Sequence, residues 1–251
     1  MGETHLGRRI FRITGADRES FLQGLVTNNV LGLAQLTYAA LLTPQGKFIA
    51  DFFLVPEGEA ILLDVAEELA GDLAKKLNMY KLRAKVTLEE TDLYAIRGIE
   101  MPAPAGAHID PRDPALGWRL YSETPGTPPG IDWDAIRVSH AIPETGRELT
   151  PETYILEAGF ERLHGVDFRK GCYVGQEVTA RMKHKTELRK GYESVALEGP
   201  VPAAGTKVTS EDGKEVGELT TVAVGRAIAY LRFDRATGPL FAGETRVIRG
   251  A

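Results

Sequence analysis

The chain's one cysteine lies in Lys170-Gly171-Cys172-Tyr173-Val174-Gly175-Gln176-Glu177. A lone thiol forms no intrachain disulfide and cannot complete a four-thiolate metal site by itself. It can react, or lend one ligand to something shared. Cations favour the thiolate form, and Arg169, Lys170, Arg181, Lys183, His184 and Lys185 all fall close by in sequence. Gly171 and Gly175 bracket the thiol and predict a backbone that turns tightly or admits a close neighbour. Val178 and Met182, four apart, predict a short helix that opens at Gln176 and Glu177 and carries Arg181 and Lys185 on another face. The alternative is a small buried hydrophobe, the usual state of a free cysteine.

Asp51 is the second residue that stands out, because it follows Lys47-Phe48-Ile49-Ala50 in an otherwise apolar run. A carboxylate there is costly unless it is used or paired, or faces solvent from a half-buried strand. His5, His108, His140, His164 and His184 show no metal-ligand spacing. Charge is unevenly spread. Residues 169–190 hold seven Lys and Arg against two Glu, a net of +5 in a chain of net −5. Such a patch attracts an anionic ligand or partner, while the acidic remainder resists indiscriminate contact with RNA. Direct nucleic-acid binding is therefore the weakest reading, and a solvated helix face is the bland one.

The elements that must position these groups are mixed. Residues 9–13 alternate as a strand, and Asp17 is placed to cap a helix through Phe21, Leu22 and Leu25. Three apolar runs, 37–43, 47–55 and 60–65, are punctuated by Pro44-Gln45-Gly46 and Pro56-Glu57-Gly58, which predicts hairpins. Leu69, Leu73, Leu77 and Tyr80 recur at helical spacing. Residues 86–99 return to strand character. The Pro- and Gly-rich stretch 101–130 reads as a surface connection around one short strand. Trp133 to Val138 predicts a helix with Asp132 near its cap. Beyond Gly191, short strands such as 193–197, 206–209 and 226–233 alternate with turns, as in a small barrel or sandwich.

The octapeptide resembles the signature of the folate-binding YgfZ family, which includes mitochondrial iron–sulfur maturation factors and is similar in fold to the aminomethyltransferase (T-protein) of the glycine cleavage system. Weaker matches follow in order: Phe21-Leu22-Gln23-Gly24, Leu41-Leu42-Thr43-Pro44-Gln45-Gly46-Lys47, Tyr80-Lys81-Leu82-Arg83-Ala84-Lys85-Val86, Asp110-Pro111-Arg112 and Leu116-Gly117-Trp118-Arg119. The resemblance implies an α+β protein with two intertwined α/β units around a central cavity and a small C-terminal β-barrel. The segments expected are 1–95, 96–190 (with the thiol motif) and 191–251.

The resemblance further implies tetrahydrofolate or a derivative as ligand. A pterin edge suits a carboxylate, its aromatic ring suits apolar walls, and its glutamate tail suits cations. The expected contacts are Asp51, Arg83, Trp118, Arg119, Tyr173, Gln176 and Glu177. By the same resemblance the protein assists assembly or repair of iron–sulfur clusters in target enzymes, including radical enzymes that modify tRNA. A cluster takes four thiolates. No tightly held metal is therefore expected on the isolated chain, and Cys172 would be a single ligand shared with a carrier or client protein, or a redox thiol. A third option for Cys172 is a catalytic nucleophile, which needs a histidine close by, His184 being nearest in sequence. The alternative function is a folate-dependent aminomethyl transferase in which Asp51 orients or deprotonates the reacting amine. Two departures weigh against that: Ile155 stands where those enzymes tend to place an arginine before Leu156-Glu157-Ala158-Gly159, and their paired aspartates are here Ala50 and Asp51. With no apolar run near 20 residues and no signal-like start, the expected setting is cytoplasmic, as a monomer or weak dimer.

Overall fold

The computed structural model describes residues 2–184 and 188–250. Lys185, expected on the basic helix face, lies outside them. The elements in chain order are β1 (Glu3–Thr4), β2 (Arg8–Thr14), α1 (Arg18–Gln23), β3 (Thr37–Leu42), β4 (Phe48–Glu57), β5 (Ala60–Ala66), α2 (Glu67–Lys81), β6 (Thr87–Glu90), β7 (Tyr94–Gly98), β8 (His108–Ile109), β9 (Trp118–Ser122), α3 (Trp133–His140), α4 (Gln176–His184), β10 (Lys190–Glu198), β11 (Lys207–Ser210), β12 (Glu215–Ala223), β13 (Arg226–Arg232), β14 (Leu240–Ala242) and β15 (Thr245–Arg249). They divide between two compact units, Met1–Gly130 with Glu161–Val178, and Ile131–Phe160 with Thr179–Ala251. Contact in space thus groups the chain differently from the linear breaks expected at 95 and 190.

The first unit holds two antiparallel sheets, ordered β3-β4-β5-β2-β6 and β1-β7-β9-β8. Alternation along β4 decides what each face of the larger sheet carries. Ala50, Phe52 and Leu54 enter an apolar core with Leu41, Leu63 and Val65, and α2 adds Ala70, Leu73 and Leu77 at helical spacing. Truncating one of these buried leucines to alanine costs about 2–5 kcal/mol. The opposite face of the same strands carries Asp51, Phe53 and Asp64. The β3–β4 turn is tight, with Thr43 N–H to Lys47 O at 2.8 Å and Gly46 at φ 75°. Asp17 stands just before α1, as expected, but makes no side-chain cap. Its carboxylate instead accepts the Lys85 N–H at 2.7 Å, which fastens the end of the α2 turn to the start of α1. The 101–130 stretch contains two strands rather than one, β9 pairing with both β7 and β8.

The second unit is a closed six-stranded barrel, β10-β13-β12-β11-β14-β15, together with α3. Closure leaves no edge strand to template other chains. Val195, Val208, Leu219, Ala229, Leu231 and Val247 fill its core. Asp132 does cap α3, accepting the Ala135 N–H at 2.9 Å. Among the described residues no helix is long and apolar enough to cross a membrane.

Candidate functional site

Cys172 is free and exposed, so the buried-hydrophobe alternative does not hold. The chain on either side of it is pinned. Lys170 Nζ donates to Gln23 O at 2.7 Å and to Val26 O at 2.5 Å, at the carbonyl end of α1. Gln23 returns a bond from its side-chain amide to Lys170 O at 3.0 Å. Partial burial holds the Lys170 ammonium down at about 8, and the same group sits 5.2 Å from the centre of the Tyr173 ring. Tyr173 is itself buried. Just upstream, Asp167 N–H donates to Thr27 O at 3.0 Å, and the Thr27 hydroxyl donates to Gly165 O at 2.7 Å.

The far side is held by shape. Gly175 has φ 83°, and a Cβ there would stand 2.6 Å from Thr43 O and 3.1 Å from Gly46 Cα. Gly46 in turn leaves room for Val178, whose Cβ would lie 2.9 Å from an added methyl. Only glycine permits this contact between the thiol loop and the β3–β4 turn. Gly171 and Cys172, between the two anchors, face solvent, with nothing near Gly171 on its open side. Gln176 then opens α4, its N–H donating to Tyr173 O at 3.2 Å. Glu177 sits in the first turn of α4 and Arg181, Lys183 and His184 in the last. That order suits the helix dipole at both ends. The motif is thus a rigid mount with an accessible sulfur. Among the described residues no group of three or more His, Cys, Asp or Glu is placed to hold a metal ion.

Asp51 turns inward. It is 7% exposed and accepts the Tyr38 hydroxyl at 2.9 Å. Burial, and then the Asp51 charge, push the Tyr38 phenol well above its ordinary range and keep it a neutral donor. Beside this pair lies a charge cluster that sequence reasoning found only in part. Asp64 is fully buried and accepts Arg8 Nε at 2.6 Å, Arg119 Nη2 at 2.7 Å and the Tyr121 hydroxyl at 2.8 Å. Asp110 accepts Arg112 through both carboxylate oxygens, at 3.0 and 2.8 Å. Burial alone would raise both carboxyls, yet the neighbouring guanidiniums hold both below the ordinary carboxylate value. Arg119 and Arg112 stack on Phe53 at 4.1 and 4.8 Å, and Arg112 also covers Tyr38 at 5.3 Å. His5 Nδ1 accepts from Arg119 at 3.1 Å. Desolvation, followed by the charges of Arg119, Arg97, Arg8 and Arg112, keeps the His5 ring neutral well below its ordinary value.

The expected site residues therefore separate. The motif residues 170–177 form one mount, and Asp51 and Arg119 belong to one buried network. Trp118 is core: 2% exposed, it donates to Glu100 O at 2.9 Å and fills the space against Gly2 and Gly98. Arg83 stands exposed on the turn after α2. Asp64, Tyr38, Arg8 and Tyr121 were missed. Asp64 carried the same signal as Asp51, a lone carboxylate in an apolar strand. Tyr38 borders a cleft of about 630 Å³ within the first unit, shared with Asn28, His108, Pro111 and His164 and walled by Leu31, Leu33 and Leu36.

Comparison with known proteins gives three results. A profile of the CAF17 C-terminal beta-barrel domain matches residues 189–248. The mitochondrial iron-sulfur cluster assembly factor IBA57 of Mus musculus is 33% identical, across 93% of this chain and 78% of its own length. The Homo sapiens protein of that name is 31% identical with the same coverage. Among solved structures, the glycine cleavage system aminomethyltransferase T from Bartonella henselae superposes with a TM-score of 0.75, covering 96% of this chain and 82% of that one. At 13% identity that likeness establishes the fold, which is aminomethyltransferase-like with a C-terminal barrel.

Proposed function

The chain belongs to the IBA57 family of iron–sulfur cluster assembly factors, and we propose that it hands on or repairs clusters with Cys172 as its one protein ligand. The observation that carries this reading is the mount: an exposed thiol whose flanks are fixed by Lys170 on one side and Gly175 on the other. A cluster needs four thiolates or their equivalents, so a carrier or client protein supplies the rest. The cluster is cargo, held in transit between two proteins. Radical enzymes that modify tRNA are among the proposed clients. The test is complementation in the source cell with its chromosomal copy deleted. Cys172→Ser should leave iron–sulfur enzymes inactive although the variant folds; full rescue by that variant refutes the reading.

A folate belongs to the same proposal. The cleft bordered by Tyr38 falls within the usual 300–1,000 Å³ of ligand sites. Its leucine and proline walls fit an aromatic ring system, and Asn28 and His108 offer polar contacts. Bound there, the group would supply one-carbon chemistry or a structural wedge. The chain's own part would be to wall the ring, with Tyr38 behind that wall held in place by Asp51. Calorimetric titration with tetrahydrofolate should give micromolar binding that weakens in Asp51→Ala. Folate-dependent aminomethyl transfer is the second reading, favoured by the inward, hydrogen-bonded Asp51. It requires turnover of a one-carbon donor that disappears in Asp51→Asn.

A further inference from the structure

The turn that ends α2 carries a residue that is both strained and solvated. Leu82 lies at φ 43° and ψ −104°. A glycine would adopt that backbone freely, whereas a side chain there carries strain on the order of 1–3 kcal/mol. The leucine is also 89% exposed, so burial does not offset the strain. Met79, one turn earlier, is 63% exposed. Isolated surface leucines are ordinary and need no explanation. A leucine that is both strained and solvated does need one.

The surroundings are cationic. Residues 73–88 contain Lys75, Lys76, Lys81, Arg83 and Lys85 and no acidic residue. The helix dipole favours Lys81 in the last turn of α2, but Arg83 and Lys85 lie beyond the helix. Lys75 pairs with Asp72 at 3.1 Å. The turn is also held firmly. Lys85 N–H donates to Asp17 Oδ2 at 2.7 Å, Ala84 N–H donates to Lys81 O at 2.8 Å, and a Cβ on Gly15 would reach to 2.0 Å from Lys85 O.

The place of this turn connects it with the thiol. Asp17, which holds Lys85, directly precedes α1, and Gln23, whose carbonyl takes Lys170, ends it. Six residues of helix rise about 9 Å. One short helix is therefore tied at its start to the Leu82 turn and at its end to the Cys172 mount, all within the first unit.

We infer that the Leu82 turn is a docking knob for the protein that meets Cys172, and that this partner offers an apolar pocket rimmed by Asp and Glu. The inference rests on the thiol reading above and names the second contact of the same encounter. Leucine and Met79 supply the apolar contact, and Arg83 and Lys85 supply the charge that selects an acidic rim.

The test uses the full chain in its source cell with the chromosomal copy deleted, alongside melting of each purified variant. Leu82→Gly relieves the strain, so the purified protein should melt a few degrees higher, while iron–sulfur enzyme activity in extract falls about tenfold. Leu82→Met should keep that activity. Arg83→Glu combined with Lys85→Glu should lose it at unchanged melting temperature. Full activity in Leu82→Gly overturns the inference, and so does lost activity with a lowered melting temperature, which marks a structural role. A shift in the sedimentation coefficient of purified Leu82→Gly also overturns it, because the occupant would then be a second copy of this chain. Cys172→Ser in the same cells separates the two claims: if it fails and Leu82→Gly does not, the thiol reading stands without the knob.

Discussion

Two charged regions of the first unit put their cations to opposite ends. In the network around Phe53, Asp64 and Asp110 are occupied by Arg8, Arg112 and Arg119, and Arg119 is 2% exposed. At the thiol mount, Lys170 is likewise committed to backbone carbonyls, but the residue it steadies, Cys172, faces solvent. Buried charges that satisfy one another hold a shape. A partly buried charge that fixes a backbone next to an exposed thiol holds that thiol out to solvent. The difference lies in what is left exposed once the polar groups have found partners, not in how polar the region is.

Breaking the first region should cost most. Asp64→Leu strands Arg8 and Arg119 without their carboxylate, and the loss on urea unfolding should be about 3–5 kcal/mol. A loss below 1 kcal/mol would mean that the network is incidental. Gly175→Ala drives a methyl into the Thr43 carbonyl at 2.6 Å and adds positive-φ strain. It should cost about 1–3 kcal/mol and make the Cys172 loop more open to proteolysis. Lys170→Met removes two bonds to carbonyls at the end of α1 and should cost about 1–2 kcal/mol, again with a looser loop. Cys172→Ser should change stability by less than about 0.5 kcal/mol, as surface substitutions do. That ordering, with the largest loss in the buried network and the smallest at the exposed thiol, is what the comparison requires.

Acid should sharpen the contrast. The folded chain holds His5 neutral below its ordinary value of 6.5, while the unfolded chain takes up the proton. Stability is therefore complete above about pH 6.5 and declines as the pH falls further, by up to about 1.4 kcal/mol per pH unit. His5→Gln should flatten that decline between pH 6.5 and 5 in thermal melts. Asp64 and Asp110, held low by their arginines, add stability that is present above the ordinary carboxylate range and is lost below it. An unchanged pH profile in His5→Gln would remove His5 from the network's energetics.

Much of the fold was legible because local rules were obeyed. Apolar runs broken by Pro-Gly turns marked β3, β4 and β5, the spacing of Leu69, Leu73 and Leu77 marked α2, and Asp132 capped α3 as its type predicts. The exposure of the thiol was not legible from residue type, since a free cysteine is usually buried and Cys172 is exposed. Other features depend on long-range pairing that sequence order conceals. Asp17 was drawn from its cap by Lys85, 68 residues away, and Asp64 meets Arg119 across 55 residues. Trp118 stood among the folate contacts the resemblance implied, and its packing against Gly2 and Gly98 makes it core. The division into units was hidden for the same reason, because residues 131–160 join the barrel and 161–178 return to the sheets.

The central claim is that Cys172 is the one ligand this chain brings to a cluster shared with another protein. Anaerobic native mass spectrometry of the tagged chain, recovered from its source cell, addresses it directly. The account predicts a complex whose mass contains a second protein and an iron–sulfur cluster, with the cluster absent when Cys172→Ser is recovered in the same way. A cluster carried by the chain alone, or one retained at equal occupancy in Cys172→Ser, would contradict it.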